Sequence, residues 1–394
     1  MRIVSKLLVA ATAAAAITAM AATPALADPP SGVTPAPTDV VGVGSDTIQN
    51  VFDQFSHDFN ATHTTGKLYS WDALNPSNGA MGDPIQLKSG STNCNIPRPD
   101  GSSAGITALE NTKTTTGGSP CIDFARSSRA RSSTDPATIT FIDLAGDAVT
   151  VATQPGSNAP ANLITTSVLT GIYNCTITKW NQIPGNTGGS SSTIAAMLPQ
   201  NGSGTRAFFL GAIGLTAPGS CVSTSSTVQG AGGNGANTLQ ENEGVAPSLN
   251  TNKTNVIFPY SVGKWIAEKF HSARCGNTAQ CFAHPTMCTP KKGQNLFGCD
   301  THGTMLLNSI NGTAPTKGTG TSTVINPKFT ATFTRLLFEV VNSPTQGTIP
   351  ANLVPYFGPA GYTCTNATAK KDLQNYGFLV LTPGSAPGDC GAAS

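Results

Sequence analysis

A short apolar run ends at Gly44, and Ile48, Val51, Phe52, Phe55 and Phe59 follow it at spacings of 3, 1, 3 and 4. Those spacings place all five side chains on one face of a helix. Ser45 stands where an N-cap belongs, with Asp46 in the first turn. The chain therefore opens as strand, small polar turn, helix. The same order returns along the sequence. Asp100-Gly101-Ser102-Ser103-Ala104-Gly105 precedes a weaker helical start at 106–109. A strand at 121–125 leads into Arg126-Ser127-Ser128-Arg129, and a strand at 194–198 leads into Asn201-Gly202-Ser203-Gly204-Thr205-Arg206 and a helix beyond it. Residues 137–144 and 148–153 predict a hairpin or a pair of crossing strands around Gly146-Asp147. Residues 256–260 predict a strand running into a helix over 262–270, with Trp265 and Ile266 facing inward. Residues 333–341 fit helix or strand, and 373–381 a final helix-to-strand segment. The Pro-rich stretch 28–38 predicts a loose arm, and the Gly/Ser/Asn-rich stretch 215–250 a surface excursion. Alternating strands and helices predict an α/β architecture with largely parallel sheets.

The first 27 residues follow a different pattern. Arg2 and Lys6 precede an apolar run over 7–22, and Ala25-Leu26-Ala27 offers a small-x-small cleavage site. This reads as a signal peptide cleaved after Ala27. Its removal takes away two cations and no acid, so the 22 cations fall to 20 against 20 acids. Charged residues make up only 11% of the chain, against about 25% in ordinary domains. Such a chain has no basic field for nucleic acid. No second apolar run reaches the length of about 20 residues that a membrane span requires. No cysteine lies at the cleavage site to carry a lipid, so the expected product is a secreted, extracellular monomer.

All 10 cysteines lie beyond the cleavage site, and an even count in an exported chain reads as disulfides. Nearest-neighbour pairing gives Cys94–Cys121, Cys175–Cys221, Cys275–Cys281, Cys288–Cys299 and Cys364–Cys390, although sequence alone does not fix connectivity. A zinc site among Cys275 to Cys299 with His271, His284 and His302 is the weaker reading, because no Cys-x2-Cys pair is present. Residues 271–328 read as a disulfide-stapled insertion. No motif asks for a metal or cofactor.

The small polar turns share one chemistry. Ser and Thr hydroxyls and free N–H groups at helix starts donate hydrogen bonds to an oxyanion at short range. Arginine adds charge in a fork that matches two anion oxygens. In this respect the chain resembles the phosphate-binding proteins of the phosphate ABC transporter, within the periplasmic-binding-protein-like family. Gly42 to Thr47 is similar to that family's first ligand loop, Asp100 to Gly105 to its Gly-Ser-Ser-Gly-Gly loop, and Ile122 to Ser128 to its Asp-Phe-Gly-Ala-Ser-Asp segment. Leu169-Thr170-Gly171-Ile172-Tyr173, Ile177-Thr178-Lys179-Trp180-Asn181, Gly202-Ser203-Gly204-Thr205 and Glu243-Gly244-Val245 continue the likeness in order, over roughly 38–270.

The resemblance implies two α/β lobes with mixed sheets flanked by helices, joined by a two-stranded hinge and closing over an anion. Lobe one would be 28–150 plus 329–394, and lobe two 151–328. The implied ligand set is Ser45, Asp46, Thr47, Ser102, Ser103, Arg126, Ser127, Ser128, Arg129, Ser203, Gly204, Thr205 and Arg206. The implied partners are phosphate or a related oxyanion and an ABC permease, and the implied role is not catalytic. Two positions depart from the family. Ser128 stands where the family has the Asp that accepts a proton from phosphate, which leaves Asp46 as candidate acceptor. Pro199 stands where the family has an Arg, which leaves Arg126, Arg129 and Arg206 as candidate counter-charges.

Two other readings compete. Gly101-Ser102-Ser103-Ala104-Gly105 fits G-x-S-x-G, with Ser103 as the nucleophile of a serine hydrolase. Residues 95–100, however, do not read as the buried strand that such an elbow needs. A wall- or carbohydrate-binding role would want exposed aromatic rings, and Trp180 and Trp265 fall in helical contexts that favour the core.

Overall fold

The computed structural model describes residues 28–30, 32–76, 79–227, 238–271, 274–275, 288–289 and 300–394. The first strand, β1, is Val40–Gly44, and the first helix, α1, is Gln49–Asn60. Ile48, Val51, Phe52, Phe55 and Phe59 are all buried, as the spacing predicts. Ser45 does not cap α1, because Ile48 holds the cap position without a side-chain bond. The turn between strand and helix is instead three residues longer, which frees Ser45 and Thr47 for other partners.

The remaining elements that frame the site follow in order. They are β2 (Leu68–Ser70), α2 (Ser102–Glu110), β3 (Phe124–Ser127), β4 (Ile139–Thr153), α3 (Thr166–Tyr173), β5 (Ala195–Ala196), α4 (Gly204–Ala212), α5 (Val245–Leu249), β6 (Val256–Ser261), α6 (Val262–Ile266), β7 (Leu306–Leu307), β8 (Thr334–Asn342), α7 (Ala367–Asn375) and β9 (Leu379–Val380). Nine strands form one sheet in the order β2-β1-β3-β8-β4-β6-β5, with β7 and β9 also on β4. Pairs β1–β2, β1–β3 and β5–β6 are parallel, whereas β8 and β4 run antiparallel to their neighbours. The sheet is therefore mixed rather than largely parallel.

The predicted hairpin at Gly146-Asp147 is not formed. Instead β4 continues for 15 residues. Its first part pairs with β8, and Val149 to Ala152 pair with β6. Gly-Asp resembles a turn in isolation, but here each residue has a packing role. A Cβ on Gly146 would meet the Leu379 Cβ at 3.2 Å, and Asp147 faces Arg335 directly across the ladder.

Buried apolar side chains fall into three clusters. One is built wholly from residues between Ala148 and Phe333. The other two draw on residues up to Ala145 and from Leu337 onward, with Ala267 added. The chain passes between the two sets inside β4 and again at the start of β8. Trp180 and Trp265 lie in the first cluster, so they are core and not sugar platforms.

Both ends of the described chain are fastened. The expected loose arm is tied down, because Arg98 grips the Asp28 carboxylate through Nη1 and Nη2 at 2.7 Å each. Ser394 exchanges main-chain hydrogen bonds with Phe141 on β4 at 3.0 and 2.9 Å. Disulfides Cys94–Cys121, Cys175–Cys221 and Cys364–Cys390 form as paired from the sequence. The pairings of Cys275 with Cys281 and Cys288 with Cys299 fall outside the residues whose side chains are described. The described part of the expected insertion is not loose, since Met305 is fully buried and β7 joins the main sheet.

Glu339 lies at the centre of β8 with no exposed surface. Burial pushes its carboxyl from 4.5 up to about 8. The folded chain thus holds a proton that the unfolded chain releases, so stability is full below the unfolded value and falls as pH rises towards 8. Urea midpoints are expected to drop between pH 5 and pH 8, and Glu339→Gln to lessen the drop by up to about 1.4 kcal/mol per pH unit. An unaltered slope in the variant would remove Glu339 from the account.

Candidate anion-binding site

Four segments bring their polar ends to one point. Helix α4 begins at Gly204 and is capped by Ser203, whose Oγ accepts from Arg206 N at 3.0 Å. The N–H groups of Gly204 and Thr205 have no partner within the helix and point outward. Only glycine fits at 204, because a Cβ there would stand 2.4 Å from both Ser102 Oγ and Ser128 Oγ. The turn after β1 supplies Ser45 and Thr47, α2 begins with Ser102, and Ser128 follows β3.

The donors converge on the side chain of Glu241. Its Oε1 accepts from Thr47 Oγ1 at 2.6 Å, Ser128 Oγ at 2.7 Å, Thr205 Oγ1 at 2.6 Å and Thr205 N at 3.0 Å. Its Oε2 accepts from Gly204 N at 3.2 Å. Each hydroxyl also accepts a bond from behind. Thr205 takes Arg335 Nη2 at 3.0 Å, Thr47 takes Asn242 Nδ2 at 2.8 Å, and Ser128 takes Ser45 Oγ at 3.0 Å. A hydroxyl has one proton to give, so these outer bonds leave it aimed at Glu241. Glu241 and Thr47 are 1% exposed and Ser128 and Thr205 0%, so the cradle is sealed from water.

Burial alone would raise the Glu241 pKa. The Arg335 guanidinium and the hydroxyls of Thr205, Thr47 and Ser128 outweigh it and hold the carboxyl below its usual range. Arg335 is in turn fixed by Asp147, with Nε and Nη2 at 3.0 and 2.9 Å from Oδ2, and it donates to the Ser128 carbonyl at 2.8 Å. Asp147 also accepts from Ser261 Oγ and Gly263 N at 2.8 and 3.0 Å. Two further acids lie nearby. Burial, and then the charge on Glu241, push Asp46 well above the usual carboxylate range and Asp100 up to about 7.

A site with these donors and one buried guanidinium is built for an anion. Residues 29–263 match the sequence model of the PBP superfamily domain. The chain belongs to the PBP superfamily. No curated protein matches it by sequence. Among solved structures, a protein from Clostridium perfringens assigned to phosphate ABC transport, with phosphate bound, is similar at 13% identity and a TM-score of 0.50. That match covers 87% of this chain and 100% of the other. An ABC-type phosphate transport receptor from Vibrio cholerae is similar at 16% identity and a TM-score of 0.48, covering 87% and 100%. At such identities the likeness concerns the fold.

In this PBP chain the candidate residues divide into three groups. Thr47, Ser128, Gly204 and Thr205 touch the Glu241 carboxylate. Ser45, Ser102 and Ser203 stand behind them, with Ser102 Oγ accepting from Ser128 N at 3.0 Å. Asp46 lies beside them, its carboxyl held well above the usual range by burial and then by the charge on Glu241. The remaining candidates lie elsewhere. Arg126 is fully buried, and its guanidinium donates to the carbonyls of Ser45, Gly44 and Trp71 and to Ser70 Oγ. Arg129 pairs with Asp135 at 2.7 Å and reaches Ser103 Oγ at 3.0 Å, Ser127 Oγ donates to the Arg129 carbonyl, and Arg206 donates to the Pro199 carbonyl. The cation facing the cradle is Arg335, which sequence reasoning did not single out. Glu241 was missed as well, because 215–250 read as a surface excursion, whereas residues 239–248 are buried. The only hint was the Glu-Asn-Glu-Gly run beside the family-like Glu243-Gly244.

The hydrolase arrangement is not formed. The segment 95–97 before α2 is a short strand exposed at both ends, and the neighbour of Ser103 is Arg129. No helix among the described residues is long and apolar enough to cross a membrane.

Replacing Arg335 with Met would leave Asp147 and Glu241 without their cation inside a sealed site. The expected cost is about 3–5 kcal/mol, read as a fall in the urea midpoint. A midpoint within error of the native protein would mean that the guanidinium is not the counter-charge.

Proposed function

We propose that this chain is a secreted, non-catalytic substrate-binding protein that captures inorganic phosphate, or a similar tetrahedral oxyanion, in a cleft between two lobes. It would deliver the anion to an ABC-type permease or act as a scavenger. The observation that carries this reading is the cradle. Hydroxyl and N–H donors from the turns after β1 and β3 and from the start of α4 converge on a single buried carboxylate, with Arg335 behind them. A carboxylate and a phosphate ask for the same donors, and these lie where the family-like turns meet.

Lobe one would comprise residues 28–150 and 329–394, and lobe two residues 151–328. The separation of the core clusters near residues 145–148 and 333–337 supports that division. The working ligand set would be Thr47, Ser128, Gly204 and Thr205, oriented by Ser45, Ser102, Ser203 and Arg335. Cleavage after Ala27 and export would accord with the disulfides. The solved structure named for phosphate ABC transport, with phosphate bound, lends support to the choice of anion.

Calorimetric titration of phosphate-stripped mature protein is expected to give one-to-one heat with phosphate. Thr205→Val removes both a donor to the anion and the acceptor for Arg335, and should weaken binding by about tenfold or more. Ser103→Ala should leave it unchanged. Heat with neither phosphate nor sulfate would reject the anion reading for the native protein.

A further inference from the structure

The cradle that would take a ligand anion is already satisfied by one from the chain itself. Five donor bonds end on Glu241, and the charged form of its carboxyl is favoured there. Thr47 and Ser128 come from the chain before residue 130, while Gly204, Thr205 and Glu241 come from the chain after 200. The carboxylate therefore ties the two sides together, as a bound oxyanion would. There is no room for both, since every hydroxyl proton in the cradle is committed to Glu241.

The backbone around Glu241 suits a side chain that can leave. Leu239 is pinned by bonds with Thr224 and Gln200, and Asn242 by Tyr260 Oη and Ser261 N. Between these anchors the chain makes a turn at Glu241-Asn242, and the main-chain groups of Glu241 itself make no hydrogen bond among the described residues. The side chain of Glu241 is thus its principal attachment, and rotation about that attachment breaks no main-chain bond.

We infer that Glu241 is a tethered anion which fills the cradle of the ligand-free protein and must swing out before an external anion can enter. This rests on the reading of the site as an anion-binding cleft. Glu241 then determines specificity. Only an anion that uses the donors better than a carboxylate displaces it, and the apparent affinity is the intrinsic affinity scaled by the fraction of molecules with the cradle vacated.

The test compares native protein, Glu241→Ala and Glu241→Gln, all stripped of phosphate, by calorimetry and thermal unfolding with inorganic phosphate, sulfate and acetate as probes. Glu241→Ala is expected to bind phosphate about tenfold or more tightly than the native protein. It should unfold at a lower temperature without anion and regain that loss as phosphate saturates the empty cradle. Glu241→Gln keeps the shape without the charge and serves if the alanine variant does not fold; it too should gain phosphate affinity. Equal or weaker phosphate binding in the variants, with binding in the native protein, would overturn the inference and leave the phosphate reading standing. A variant that takes sulfate or acetate but not phosphate would uphold the tethered anion and reject phosphate. Variants that bind none of the three would overturn both.

Discussion

A carboxylate stripped of water at the junction of two apolar cores is the condition on which the arrangement depends. Such a charge is tolerable only with close partners, since removing it from water costs several kcal/mol even after relaxation. Glu241 has them, and they come from segments that are otherwise unrelated: the turns after β1 and β3, the start of α4, and Arg335 at the head of β8. Arg335 needs a second carboxylate to hold it in place, and Asp147 on the adjacent strand provides it. The requirement runs outward in this way from one side chain to the pairing of the two strands that link the cores.

That dependence explains why some of the structure was legible in the sequence and some was not. β1 and the buried face of α1 follow from local periodicity, and the Gly-Ser-Gly-Thr start of α4 follows from capping chemistry. The cradle hydroxyls at 47, 128 and 205 lie in turns that the sequence had marked. Glu241 and Arg335 could not be found in this way. Glu241 follows a stretch whose Gly, Ser and Asn content suggests a surface, and it is buried by residues almost 200 positions away. Arg335 lies in an apolar run where a single cation adds nothing to periodicity. The arginines that did stand out, Arg126, Arg129 and Arg206, serve main-chain carbonyls and Asp135 instead.

The error over β4 has the same origin. Gly146-Asp147 has the composition of a turn, and local chemistry alone would bend the chain there. The straight course comes from Leu379 packed over the glycine and Arg335 opposite the aspartate, both close to 200 residues or more further on. The near-sequence disulfides were easier, because pairing over 26 to 46 residues follows neighbouring segments that stay together.

The fastening of the two ends of the described chain has a mechanical consequence. Asp28 is clamped by Arg98, and Ser394 is paired to Phe141, so both ends of the described chain lie with β1, β3 and β8. The apolar cluster built from residues 148–333 belongs to an excursion that leaves along β4 and returns along β8, two strands laddered side by side from Ile139 to Ala148. A pull on the two ends is therefore carried across that ladder. Along the backbone, residues 149–333 stand behind that ladder, and the load that does reach α4 and Glu241 arrives sideways, through the cradle bonds from Thr47 and Ser128.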